Sequence, residues 1–269
     1  MSPHNRYLSL RHHYTDQKQS AMKAIIFSLF FLPAVGLFGQ NDYLLVDYEQ
    51  LDQAISDSNS MYYYPRLLEL FKSGDTTLTT MDYFHLYYGA TLQEGWSSMN
   101  RFEDEETRRI MREEEPDPEA LAQAEKALEA YLAEAPFDLE ERYQLLVVSD
   151  LLEKKDKFEV LMIQLQGLIA AIMETGDGLT VETAIHVNKV PDEYFILNII
   201  GFEYGGEQTL VYPCDYLSVE KNEYEVEGLY FNVQQHFKSL EEMFGGSLDS
   251  PKKAAGKERK KKKKEMKKN

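Results

Sequence analysis

Gly176-Asp177-Gly178-Leu179-Thr180-Val181-Glu182-Thr183-Ala184-Ile185-His186-Val187 is the stretch in which this 269-residue chain changes character. Before it, apolar residues recur at helical spacing. After it, β-branched and aromatic residues come in short runs between turn formers. Two glycines flanking an aspartate end the helical pattern, and residues 184–190 read as a strand closed by Pro191-Asp192. The expected fold is therefore α+β: repeat-like antiparallel helical hairpins over 40–175, then a small antiparallel β-sheet over 176–237.

Within the second part, residues 209–219 and 226–233 read as two strands joined by the polar turn Glu220-Lys221-Asn222-Glu223. Residues 193–202 are apolar almost throughout, so periodicity alone does not separate a buried strand from a short helix. Asp192 as a cap and Gly201 as a stop tilt that segment toward helix.

Upstream, Tyr64, Leu67, Leu68 and Phe71 fall on one helical face, and Gly74-Asp75 ends that helix. Thr79 or Thr80 caps the next, which carries Tyr83, Phe84, Tyr87 and Tyr88. Such a density of tyrosine suits either sugar stacking or a helix seam with hydroxyls at its wet edge, and core packing is the simpler reading. Residues 93–116 read as a charged, solvated connection. Asp117-Pro118-Glu119 is a helix start, and Pro136 ends the helix it opens. Asp138 with Glu141, and Asp156 with Glu159, each resemble a capping box opening a further helix. Three helices joined by very short turns pack antiparallel. Ala124, Leu128 and Pro136 followed by Asp156-Lys157-Phe158 look like a degenerate tetratricopeptide pattern, with too few units for a long solenoid.

Several of these words resemble a bacterial family known only as domain-of-unknown-function family 4919. They are the Gly176–Val187 stretch, Tyr62-Tyr63-Tyr64-Pro65-Arg66-Leu67-Leu68, Gly74-Asp75-Thr76-Thr77-Leu78-Thr79, Asp192-Glu193-Tyr194-Phe195, Cys214-Asp215-Tyr216-Leu217 and Gly228-Leu229-Tyr230-Phe231-Asn232-Val233. The resemblance spans about residues 43–237 and implies a fold and an envelope address, but no chemistry.

Charge is distributed unevenly. From Lys252 onward eleven Lys or Arg and two Glu carry +9, against −26 for residues 1–251 and −17 overall. An acidic body excludes nucleic-acid binding by the fold, because phosphates require arrayed Lys and Arg. The low hydropathy and self-repulsion of the Lys-rich end imply a disordered basic tail, placed at 238–269, that can contact anionic surfaces weakly or fold back on the acidic body. The single cysteine, Cys214, excludes an internal disulfide framework and a thiolate metal cluster. It reads as a small buried residue.

Met22-Lys23 precedes a sixteen-residue apolar run broken by Pro33. This is the pattern of a cleavable signal peptide within residues 1–39, cut near Gly39, with translation starting at Met22. The run is too short for a membrane span, which takes about 20 residues, so the mature chain is expected to be exported to the periplasm or beyond, with no stable span after cleavage. The histidines His4, His12 and His13 then fall in an untranslated leader.

Phosphate-loop, dinucleotide, nucleophile-elbow and zinc-protease patterns are all missing from the sequence. Accordingly no catalytic, cofactor-binding or metal-ligating residue is assigned. The expected function is a non-enzymatic, exported scaffold for a protein or peptide partner, with helical hairpins supplying the surface. The alternative is an enzyme or glycan-binding protein with a cleft near the helix–sheet junction. The residues that would have to converge for that alternative are His186, Asp192, Glu193 and Tyr194, with shifted pKa values.

Overall fold

A computed structural model describes residues 43–245; the expected leader and signal peptide fall within residues 1–42 and the expected Lys-rich tail largely within 246–269, and both of these stretches lie outside the described residues. The described chain runs α1 (Tyr48–Ser56), α2 (Tyr64–Lys72), α3 (Thr80–Gly89), α4 (Glu105–Arg112), α5 (Pro118–Glu134), α6 (Leu139–Leu151) and α7 (Lys155–Met173). It continues with β1 (Ile185–His186), α8 (Val190–Ile199), β2 (Tyr204–Val211), β3 (Cys214–Val219), β4 (Gly228–Asn232) and α9 (Gln234–Met243).

Local chemistry sets the helix starts. The Asp47 carboxylate accepts from the Glu49 and Gln50 amides and opens α1. Thr79 and Asp82 form a full capping box for α3. Asp117 accepts from the Glu119 and Ala120 amides, with Pro118 in the first turn of α5. Helix α3 buries Tyr83 through Gly89 on every side and so lies at the centre of the helical layer. It packs against α7, and the contact is close because residue 167 is glycine: a Cβ there would sit 2.2 Å from the Tyr83 ring. Helices α5, α6 and α7 are the three short-turn helices read from the sequence.

The tyrosines belong to the core, but their hydroxyls are not at a wet edge. Tyr87 and Tyr88 are fully buried and donate to Asp192 and to the His186 carbonyl. They fasten the helical layer to β1 and to the first turn of α8.

The sheet has strand order β1-β4-β3-β2. β2–β3 and β3–β4 are antiparallel, whereas β1 pairs parallel with β4, Ile185 opposite Phe231 and His186 opposite Asn232. The sheet is thus mixed, not purely antiparallel. Leu217, Leu229 and Phe231 share one hydrophobic core with Leu165 and Ile169 of α7. The Gly176–Val187 stretch is a structured turn before β1. Asp177 accepts from the Leu179 amide and from the Thr183 and Tyr43 hydroxyls, and Gly178 takes φ +73°.

Four sequence expectations change. Residues 184–190 yield only the two-residue β1, because the chain from Asn188 is held by Tyr87 and then turns into α8. The segment 209–219 is not one strand: Tyr212-Pro213 reverses it between β2 and β3, proline being unable to supply a ladder donor. The charged connection over 93–116 contains α4, capped by Asp104 and edged by Glu106–Arg109 and Arg109–Glu113 pairs at helical spacing. Ordered structure extends past residue 237, since α9 runs to Met243 and docks through Ser239 on the Ser98 amide. The open segment 193–202 resolves as helix α8, ending at Gly201 with φ +90°.

Candidate functional site

Asp138 occupies the N-cap position of α6, yet its side chain makes no capping bond. Both carboxylate oxygens are used elsewhere. One accepts from Lys189 Nζ at 2.6 Å, the other from the Tyr131 hydroxyl of α5. Lys189 Nζ also reaches the Asn100 carbonyl at 3.3 Å. Three residues on, Asp192 in the first turn of α8 accepts from the Tyr87 hydroxyl of α3 at 2.6 Å. Asp138, Lys189 and Asp192 are each at least nine-tenths buried. Elements far apart in the chain thus bring two carboxylates and one ammonium together at the helix–sheet junction.

These groups form the floor of a cleft of about 340 Å³, walled by Tyr64 and Trp96 and by the exposed carboxylates of Glu94 and Glu134. A second, smaller recess with Arg101, Arg108 and Glu141 in its lining meets Asp138, Lys189 and Asp192 from another side. Asn188 also lines the cleft. Its Nδ2 donates to the Tyr87 carbonyl at 2.7 Å, which fixes the amide orientation because that partner is an acceptor only. Asn188 Oδ1 is left buried with no donor. Buried polar atoms without partners are rare in folded chains and mark places where a ligand or water completes the bonding.

Electrostatics follow the burial. Desolvation pushes the Asp192 carboxyl up to about 7; the Tyr87 hydrogen bond opposes that shift and nearby Asp138 adds to it. Glu141 also rises to about 7, through burial and then Asp138. Tyr87 is held well above the ordinary phenol range by burial and the adjacent Asp192.

Of the four residues that would have had to converge, only Asp192 reaches this cleft. Glu193 turns the other way, is fully buried, and meets Asp215 of β3. Tyr194 donates to Gln208 Oε1 at 2.7 Å, and Gln208 Nε2 donates to Asp215 at 2.7 Å. The His186 imidazole is pushed down to about 4 by burial and is neutral at physiological pH. Cys214 is buried, and desolvation followed by Asp215 pushes its thiol up to about 11, so it carries no thiolate at neutral pH.

Sequence reasoning missed Tyr87, Trp96, Asn188 and Lys189 as site residues and read Asp138 as a cap. The usable signal was the adjacency of Asn188, Lys189 and Asp192 around Pro191, three polar groups in an otherwise apolar stretch. Among the described residues no group of three His, Cys, Asp or Glu is arranged to hold a metal ion. No helix of the described residues is long and apolar enough to cross a membrane.

The fold and the cleft belong to an α+β class with a helical layer clamped onto a small mixed sheet. Residues 49–242 match the family described as a domain of unknown function, DUF4919, and the chain belongs to that family. No curated protein matches it, and no solved structure does.

Proposed function

We propose that this protein is an exported, non-enzymatic binding protein that captures a peptide partner in the cleft at the helix–sheet junction. The observation that carries the reading is the cleft floor. Two buried carboxylates share one lysine and two tyrosine hydroxyls, and Asn188 Oδ1 beside them has no donor at all, so the floor holds spare acceptor capacity. Trp96 and Tyr64 add flat apolar wall on which a side chain can lie. Concave sites with a few fixed polar groups are the usual form of ligand pockets.

Trp96 is the only tryptophan in the chain, so its fluorescence reports on the cleft directly. A pool of random hexapeptides should shift Trp96 emission and the backbone amide resonances of residues 93–100 and 188–192. Ser97→Phe, which fills the mouth from the half-buried loop while leaving the floor intact, should weaken both responses by about 10-fold or more. Amide shifts confined to other surfaces would defeat the proposal.

A second reading has its own support. A buried Asp192 carboxyl poised near 7 has the proton affinity that general acid–base chemistry requires. Turnover of any cleft-bound peptide or glycan that is lost in Asp192→Asn, with binding retained, would favour the enzyme.

Export rests on the Lys23-led apolar run ending near Gly39. Intact-mass measurement of protein recovered from the envelope fraction should give a chain beginning at Gln40. A species in the cytoplasm retaining residues 22–39 would overturn it.

A further inference from the structure

The cleft is acceptor-rich and carries net negative charge, and the group that answers both properties is a small cation bearing several N–H donors. A primary ammonium has three donors and no acceptor. Its three hydrogens match the Asn188 Oδ1 left without a donor and the carboxylates of Asp192 and Asp138. The aliphatic stem of a lysine suits a wall built of Tyr64 and Trp96, since such stems lie along apolar surface while the head finds charge, and a cation beside an indole face gains further attraction. A phosphate or carboxylate ligand would meet Asp138, Asp192, Glu94 and Glu134 with only Lys189 to offset them.

The chain carries its own supply of such groups. Helix α9 lies against the loop that walls the cleft: the Ser98 amide donates to Ser239 Oγ at 3.2 Å, and His236 Nδ1 is 2.9 Å from Ser98 Oγ. Trp96, Ser97 and Asn100 of that same loop line the cleft. Gly245, the last described residue, follows Ser239 by six positions, and Lys252 follows Gly245 by seven. At about 3.3 Å per residue, seven residues reach roughly 23 Å. The Lys260–Lys264 run has a longer reach still. An ammonium tethered at this distance acts at an effective concentration of about millimolar, and the −29 carried by residues 40–251 attracts it further.

We infer that the cleft is an ammonium-binding site, and that a lysine of the chain's own C-terminal segment occupies it in cis by meeting Asn188 Oδ1 and the Asp138 and Asp192 carboxylates. The inference rests on the peptide-binding reading of the same cleft. It adds the chemistry recognised and a built-in competitor: a partner must present a lysine or an amino terminus and displace the tail.

The test compares the full mature chain with the same chain in which every Lys and Arg from Lys252 onward is glutamine. Residue 252 lies beyond the described fold, so the substitutions leave every contact described above intact. Trp96 emission is followed at about 0.02 M and about 0.5 M salt, where the Debye length falls from about 20 Å to about 4 Å. The two chains should differ at low salt and coincide at high salt. n-Butylammonium should shift Trp96 in the glutamine chain and bind the full chain about 10-fold more weakly or worse, and a synthetic peptide of residues 251–269 should show the same preference for the glutamine chain.

Equal n-butylammonium binding by both chains overturns occupancy by the tail and leaves the cleft's chemistry standing. No Trp96 response to n-butylammonium or to the tail peptide overturns the ammonium assignment. Neither failure touches peptide capture, which the hexapeptide amide shifts measure separately. A full chain that binds anionic vesicles through its tail, while its Trp96 emission already equals that of the glutamine chain, assigns the lysines to a lipid surface and overturns the inference.

Discussion

Glu193→Gln should make the protein more stable at pH 7, by on the order of 3 kcal/mol, and should flatten its dependence on pH. Glu193 is completely buried, and neither of its oxygens has a donor among the neighbouring groups. Its partner is the Asp215 carboxyl, itself fixed by Gln208 Nε2. Two facing carboxyls hold together only if one keeps a proton, and burial, with Asp215 and Asp192 adding to it, pushes Glu193 up to about 9.

A carboxyl raised from the ordinary 4.5 to about 9 binds its proton more tightly folded than unfolded. The stability it contributes is therefore complete below about pH 4.5 and is lost as pH rises through about 9. At pH 7 the unfolded chain gains from ionising this group, at about 1.4 kcal/mol per unit. A glutamine amide donates to Asp215 as the protonated acid does, and it has no proton to lose. Thermal unfolding followed from pH 5 to pH 9 should show the difference between the two chains widening with pH. Asp192 also rises, to about 7, so both chains keep a residual pH dependence, and the expected effect is the difference between their slopes. A Glu193→Gln chain that is less stable at every pH would show that Glu193 is ionised and paired in the native state.

The second large effect is expected at Arg142. Its guanidinium is buried between α6 and α7 with neutral partners: the Pro136 carbonyl, which takes two N–H bonds, and Gln164 Oε1 at 2.7 Å. It lies 4.6 Å from the Phe71 ring centroid, and Gln164 Nε2 continues the network to the Phe71 carbonyl at 2.7 Å. Desolvation pulls the guanidinium down to about 10. Arg142→Ala leaves the Pro136 carbonyl and Gln164 Oε1 unpaired and opens a void beside Phe71. The expected loss is about 4 kcal/mol, or a fall in Tm of roughly 8–16 °C for a domain of this size. Arg142→Lys should recover less than half, because an ammonium does not reproduce the planar fork. A loss below about 1 kcal/mol for the alanine chain would mean that water replaces the guanidinium at no cost.

Both sites show where sequence reading stops. Glu193 could be singled out, since it sits in a recognisable Asp-Glu-Tyr-Phe word, but nothing local distinguishes its direction from that of Asp192. One helical step sends Asp192 into the cleft and Glu193 into the sheet. Asp138 misled in the opposite way. Its position satisfies the pattern of a capping box, and the residue does stand at the N-cap, yet Lys189 and Tyr131 compete for its carboxylate and win. Arg142, in a helix patterned like its neighbours, carries no local mark of burial at all.

What the sequence determined by itself is the set of features settled within a few residues. These are the cap at Asp117, a threonine cap at Thr79 or Thr80 that the structure places at Thr79, the break at Gly176-Asp177-Gly178, the β3–β4 pairing and the change from helical to strand chemistry. Each depends on backbone groups and side chains close in the chain, so local pattern carries it. The tertiary structure alone decided the parallel β1–β4 pair, the burial of Arg142 and the cleft. Asp138 meets Lys189 across 51 positions and Tyr87 meets Asp192 across 105. Contacts at such separations form because packing the helical layer on the sheet excludes water and leaves each polar group only the partners it faces, and no spacing along the chain records that choice.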